Sequence, residues 1–349
     1  FSIQRQYTGK LQLKKMSMDT GMTKGNDCYS LKGAKYGVYS DPDCRTQVAI
    51  LTTKEDGTTD AEELTSGKYY IKELSAPEGY ALDSKKYTAD VTAGSTEVVN
   101  VKDYPQSAAV RFLLEKEDAR TGEKEAQGNA VFADAEFTVR YYKGLYDTDP
   151  AKQGITPART WVMKTNESGK AALTDSFKIS GDSFYKNSDG ENVLPLGTVT
   201  IQETKAPKGY LLNREVFIRK ITSEGTAENV STYNAPVISE NIISGELHII
   251  KFGQDADDSC EQKTPLEGVA FEITSKTTGE TFTITTDKNG YASTQQIEGG
   301  LVYDSYVVKE AVTPIGFEPV ESFEITISEE NQILHYILED KLIVAPVQL

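Results

Sequence analysis

Three phrases in this chain restate one another: "YIKELSAPEGY" at 70–80, "TIQETKAPKGY" at 200–210 and "VVKEAVTPIGF" at 307–317. Others accompany them in the same order. "LKGAKYGVY" (31–39) is matched by "FADAEFTVRY" (132–141) and "LEGVAFEIT" (266–274), and "TKEDGTT" (53–59) by "TNESGKA" (165–171) and "TDKNGYA" (286–292). Such self-similarity requires one folding unit to recur along the chain. Each unit reads strand, turn, strand, Asp/Asn/Ser-Gly turn, strand, Pro-x-Gly turn, strand. Period-2 alternation dominates, with abundant Val, Ile, Tyr and Thr and closely spaced turn signals, which predicts antiparallel β-sandwiches. The expected fold is therefore all-β: three tandem immunoglobulin-like sandwiches over 1–105, 106–236 and 237–349. A proline near each boundary, in "KDYPQS" and "YNAPVI", predicts a short, stiff connection. Unit two is longer, with its extra residues in expected loops around 141–161 and 183–193.

Composition narrows the function. The formal net charge of -16 disfavours nucleic acid and anionic membranes, which would repel the chain. No apolar run reaches the length of a transmembrane helix, and the start is not basic-then-apolar as a signal peptide would be. Two histidines, His248 and His335, give little material for a zinc site or a Ser-His-Asp triad, and both sit in alternating segments that read as strands. No cofactor is expected. Cys28 and Cys44 flank one strand pattern and are read either as a disulfide or as two separate buried thiols; Cys260 has no obvious partner.

Alternation at the ends of each unit places charged groups where apolar ones belong. Residues i, i+2 and i+4 of a strand share a face. Leu11 and Leu13 bring Lys15 onto the core face, Phe112 and Leu114 bring Lys116, and Leu247 and Ile249 bring Lys251. In the strand before the Pro-x-Gly turn, Tyr69 and Ile71 precede Glu73, Val199 and Ile201 precede Glu203, and Tyr306 and Val308 precede Glu310. In the last strand, Val99 and Val101 lead to Asp103, Val230 and Thr232 to Asn234, and Tyr336 and Leu338 to Asp340. One such lysine is ordinarily a snorkelling stem, and one such glutamate an edge charge. The same trio in the same order three times demands another account, because an unpaired charge in a core costs several kcal/mol.

The units resemble CnaB-type (SpaA-type) domains of Gram-positive surface proteins and pilins. The E-x-x-A-P-x-G-Y phrase around Glu73 and Glu203, the first-strand lysine and the terminal Asp/Asn before a proline carry the resemblance, which covers essentially the whole chain. Unit three departs from it, with Thr313 for the alanine and Phe317 for the tyrosine. The resemblance implies a spontaneous isopeptide bond in each unit: Lys15–Asp103 assisted by Glu73, Lys116–Asn234 by Glu203 and Lys251–Asp340 by Glu310. Burial lowers a lysine pKa and raises a carboxyl pKa, so a neutral amine can attack while a protonated glutamate shuttles protons. The cross-linking is self-processing, and the chain is not expected to be an enzyme. Three bonds would lighten it by about 53 Da, from water at each Asp and ammonia at Asn.

The implied function is a structural or adhesive protein at the surface of a Gram-positive bacterium, a pilin subunit or an adhesin stalk. Its expected partners are other pilin subunits or the cell wall, joined through sortase. "FYKN" at 184–187 is a weak echo of a sortase-reactive lysine phrase and marks Lys186. "LPLGT" at 194–198 superficially resembles a sorting signal but reads as a turn into the glutamate strand. A second reading has the loops of unit two grip an extracellular host ligand, with Trp161 in the contact surface; a core position for Trp161 is the plainer alternative. A third, accessory domains of a secreted hydrolase, has no site to support it. Asp255, Asp257 and Asp258 lack the spacing of a calcium loop and read as a solvated turn, so no metal is expected.

Overall fold

The computed structural model describes residues 7–254 and 263–344. Each of the three units is built from strands, as their alternation predicts. In unit one, a four-stranded antiparallel sheet runs Gln47–Thr52, Lys35–Tyr39, Gly67–Ser75, Lys86–Val91. Facing it is a three-stranded sheet in the order Glu62–Thr65, Thr8–Ser17, Thr96–Asp103. Units two and three repeat the larger sheet around Glu136–Tyr142 with Gly197–Lys205, and Ala270–Ser275 with Asp304–Val312.

The sandwiches are not wholly antiparallel. The first and last strands of each unit run parallel: Thr8–Ser17 with Thr96–Asp103, Leu114–Asp118 with Val237–Glu240, and Ser244–Gly253 with Gln332–Leu342. A parallel pair needs a long crossover. Here the rest of the unit supplies it.

The middle pair relocates one boundary. Val237–Glu240 pairs with the first strand of unit two, so unit two extends through Glu240 rather than ending at 236. Residues 231–236 form no strand. The alternation read through Val230, Thr232 and Asn234 fails there because it presumes an extended, paired backbone. Phe112 is likewise outside a strand and exposed; Leu114 opens the strand and is buried.

The Pro-x-Gly phrases form turns of one kind. The N–H of Tyr80, Tyr210 and Phe317 donates to the carbonyl of Pro77, Pro207 and Pro314. The third residue has positive φ in each (Gly79 81°, Gly209 87°, Gly316 96°), which glycine adopts without a Cβ penalty.

The junctions are packed, beyond the stiffness a proline gives. Met22, Tyr29 and Tyr80 of unit one join the buried cluster of unit two. Asn26 Nδ2 donates to Tyr141 Oη at 3.0 Å and to the Leu196 carbonyl at 2.9 Å. Tyr29 Oη donates to the Gln106 carbonyl at 2.7 Å and accepts from the Leu196 N–H at 2.8 Å. Between units two and three, Phe132 stacks on Tyr210 within a small cluster that includes Ile242 and Tyr303.

Cys28 and Cys44 are free thiols, so the disulfide alternative is corrected. Cys28 packs against the core of unit two. Cys44 lies in a turn whose N–H groups at Asp43, Arg45 and Thr46 are gathered by the Asp41 carboxylate. The two sulfurs belong to different local structures.

Candidate functional site

Each unit buries one lysine between two carboxylates. Lys15, Lys116 and Lys251 are fully buried, among the largest side chains with no exposure. The first strand places each on its inward face because the preceding alternate residues, Leu11 and Leu13 or Leu247 and Ile249, are themselves core. In unit one, Lys15 Nζ donates to Glu73 Oε1 at 2.8 Å and to Tyr36 Oη at 2.6 Å, and is ion-paired with Asp103 Oδ2. In unit three, Lys251 Nζ donates to Glu310 Oε2 at 2.8 Å and to Asp340 Oδ1. In unit two, Lys116 Nζ donates to Glu203 Oε1 at 2.6 Å, and its second carboxylate is Glu240.

Asn234, the expected acceptor, is not at the site. It is exposed, and its carbonyl accepts from Arg219 Nε at 2.7 Å. The chain has not entered its last strand at that point. Ile238 and Glu240 carry the inward alternation instead.

A second contact fixes the glutamates. The backbone N–H ten residues on donates to each: Asp83 to Glu73 Oε2 at 2.7 Å, Asn213 to Glu203 Oε2 at 2.8 Å and Val320 to Glu310 Oε2 at 3.1 Å. The Pro-x-Gly turn brings that N–H back over the glutamate. Backbone donors of this kind leave no mark in residue identity.

Position 36 also escapes notice. Tyr36, Phe137 and Phe271 occupy the same place in the repeated phrase and pair across the sheet with Glu73, Glu203 and Glu310. Each ring lies under its lysine, with Nζ 5.1, 4.7 and 5.7 Å from the ring centroid. Only unit one has a hydroxyl there.

Burial dominates the electrostatics. It pushes the Asp103 carboxyl up to about 7, with Lys15 opposing and Glu73 reinforcing the rise. Glu240 is pushed up to about 7 by burial against the pull of Lys116, and Asp340 to about 6 against that of Lys251. Each cluster therefore holds an amine against a carboxyl that resists ionisation, with a second carboxyl alongside. That set can pass protons and form an amide.

Trp161 is fully buried and stacked on Phe184, so it offers no contact surface. Lys186 is exposed on the two-residue strand Tyr185–Lys186, with Nζ 3.1 Å from the Gly190 carbonyl. The 194–198 phrase spans the buried end of one strand and the start of the glutamate strand. His248 and His335 face each other across the parallel pair of unit three. Asp255, Asp257, Asp258 and Cys260 lie outside the described residues. Among the described residues, no three His, Cys, Asp or Glu side chains are grouped to hold a metal, and no helix is long and apolar enough to cross a membrane.

A family model for the SpaA prealbumin-like fold domain matches residues 9–105, 118–236 and 249–341. The chain belongs to this family. Its three SpaA units coincide with the three sandwiches, and the second match stops four residues short of Glu240. Over 171 residues the chain is 29% identical to the trypsin-resistant surface T6 protein of Streptococcus pyogenes serotype M6, covering 48% of this chain and 26% of that protein. The match thus spans about a quarter of that relative's length. The Bacillus anthracis TIE protein shares the fold, with a TM-score of 0.60 at 24% identity over 96% of this chain and 51% of that one. BcpA, the major pilin subunit of Bacillus cereus, aligns at 14% identity and a TM-score of 0.35 over 96% of this chain and 99% of that one.

Proposed function

We propose that this SpaA-family chain is a structural segment of a Gram-positive surface protein, a pilin subunit or adhesin stalk, stiffened by isopeptide bonds at Lys15–Asp103 and Lys251–Asp340. The observation that carries the reading is a fully buried lysine amine in contact with a glutamate and a second carboxylate at the seam of the first and last strands. The amine attacks the acceptor carbon, the C–OH bond breaks, and water leaves. The glutamate takes a proton from nitrogen and returns one to the departing hydroxyl. Fixed contact replaces a bimolecular encounter. The product amide is neutral, which relieves the cost of a buried charged cluster.

Parallel pairing gives the bond its mechanical sense. Tension entering at the start of the first strand and leaving at the end of the last pulls the two strands in shear. A covalent bridge between them carries that tension past the hydrogen-bond ladder. It also keeps the unit closed against proteases. Linkage by sortase to neighbouring subunits or the cell wall belongs to the same reading, with exposed Lys186 as the nucleophile to test. The ligand-gripping alternative loses its main support with Trp161 buried.

Intact-mass measurement and peptide mapping test the proposal. Each bonded Asp unit is lighter by about 18 Da, and the peptides bearing Lys15 and Asp103, or Lys251 and Asp340, travel as one. Full masses with separate peptides in both units would end it.

A further inference from the structure

We infer that unit two carries its own cross-link, an amide between Lys116 Nζ and Glu240 Cδ. The inference rests on the reading that units one and three condense, and extends it to an acceptor one methylene longer than Asp.

Four observations place Glu240 in the acceptor role. The first is register. Lys15 lies opposite Val101 and Ser17 opposite Asp103; Lys251 lies opposite Leu338 and Gly253 opposite Asp340. In unit two, Lys116 lies opposite Ile238 and Asp118 opposite Glu240. The acceptor is thus always opposite the residue two beyond the lysine. The second is the closing bridge. Tyr80 pairs with Pro105 and Tyr210 with Ile242, in each case the residue two beyond the acceptor.

The third is division of labour between the two glutamates. Glu203 receives the Asn213 N–H, as Glu73 receives that of Asp83, so Glu203 is the assisting residue. The fourth is an unpartnered oxygen. In each acceptor one oxygen touches the amine and the other is buried with no hydrogen bond: Asp103 Oδ1, Glu240 Oε2 and Asp340 Oδ2. Glu310 Oε1 shares this feature, whereas both oxygens of Glu73 and of Glu203, the glutamate that competes with Glu240 for the role, are bonded. Condensation removes one oxygen from the acceptor, and with it the cost of holding an unsatisfied one in the core. Burial also raises the Glu240 carboxyl to about 7, matching Asp103.

The step balances without any oxidant or further reactant. The Lys116 nitrogen bonds to Glu240 Cδ, the C–OH bond breaks, and Glu203 relays a proton from nitrogen to the hydroxyl, which departs as water.

The test is high-resolution mass mapping of the full chain after digestion. The Lys116 peptide is expected joined to the Glu240 peptide, lighter than their sum by about 18 Da, where an Asn234 link would cost about 17 Da. Fragmentation places the branch at Glu240. Asn234→Ala is expected to leave the link intact, and Glu240→Ala to abolish it. A free Lys116 peptide in a chain whose other two units are joined overturns this inference alone, and so does a branch at Asn234. Free peptides in all three units overturn the parent reading as well.

Discussion

Glu73 Oε2 accepts the backbone N–H of Asp83 at 2.7 Å while Glu73 Oε1 accepts from Lys15 Nζ at 2.8 Å. The carboxylate is held at both ends, one oxygen on the backbone and the other on the amine. Glu73→Ala removes the proposed relay and its contact with Lys15, while Lys15 and Asp103 both stay in the chain. Unit one is expected to regain about 18 Da, with the other units unchanged. Its unfolding free energy should fall by about 4 to 5 kcal/mol, the loop-closure entropy of a span of roughly 90 residues. Intact mass and denaturant titration check both.

The pH dependence of bond formation follows from the acceptor. The reacting pair, a neutral amine beside a protonated carboxyl, holds one proton fewer than the fully protonated cluster and as many as the ion pair. Once Asp103 titrates, at about 7, a further rise in pH therefore no longer changes how much of that pair is present. For chain made in vitro and diluted from denaturant, the rate in unit one should rise with pH up to about 7 and level off above it. Unit three should level off about one unit lower, because Asp340 titrates at about 6. Mass against time after dilution gives both profiles; a rate that falls steeply as pH rises through this window would contradict the assignment.

Tyr36 accepts a hydrogen bond from the Lys15 amine at 2.6 Å, where the other units have phenylalanine. Tyr36→Phe should therefore leave bond formation complete and change its rate less than about tenfold, roughly the worth of one hydrogen bond. Complete loss of the unit-one bond would make the hydroxyl essential.

Asn26 ties the units together through Tyr141 and Leu196. Asn26→Ala leaves Tyr141 Oη and the Leu196 carbonyl with only their mutual hydrogen bond and strips the Gly144 N–H of its acceptor. Its expected cost is about 1 to 3 kcal/mol, and it should fall on the docking of units one and two. Calorimetry should then show units one and two unfolding in two transitions where the parent chain shows one.

Cys28 is pushed up to about 11, mainly by burial. Against an ordinary thiol its thiolate fraction near neutral pH is lower by roughly a hundredfold. Alkylation of the folded chain at Cys28 should be slower in that proportion, and reductant should leave the masses of peptides containing Cys28 and Cys44 unchanged. A shift on reduction would restore the disulfide.

The repeat, the sandwich class and the burial of three lysines and three glutamates are legible in the linear text. Their strands are regular, so period-2 alternation transfers directly to burial: Leu11, Leu13 and Lys15 share a face whatever lies across from them. Two of the carboxylates that meet those lysines, Asp103 and Asp340, are legible for the same reason. The third is not. Which residue meets Lys116 depends on where the last strand starts, and that is settled by pairing with a partner more than a hundred residues away. The parallel seam, the backbone N–H groups that hold the glutamates and the docking of Asn26 and Tyr29 on unit two are likewise products of tertiary structure. Local alternation is written residue by residue because each side chain's direction follows from its own backbone. Register and backbone donors have no residue code, because they exist only once distant segments have met.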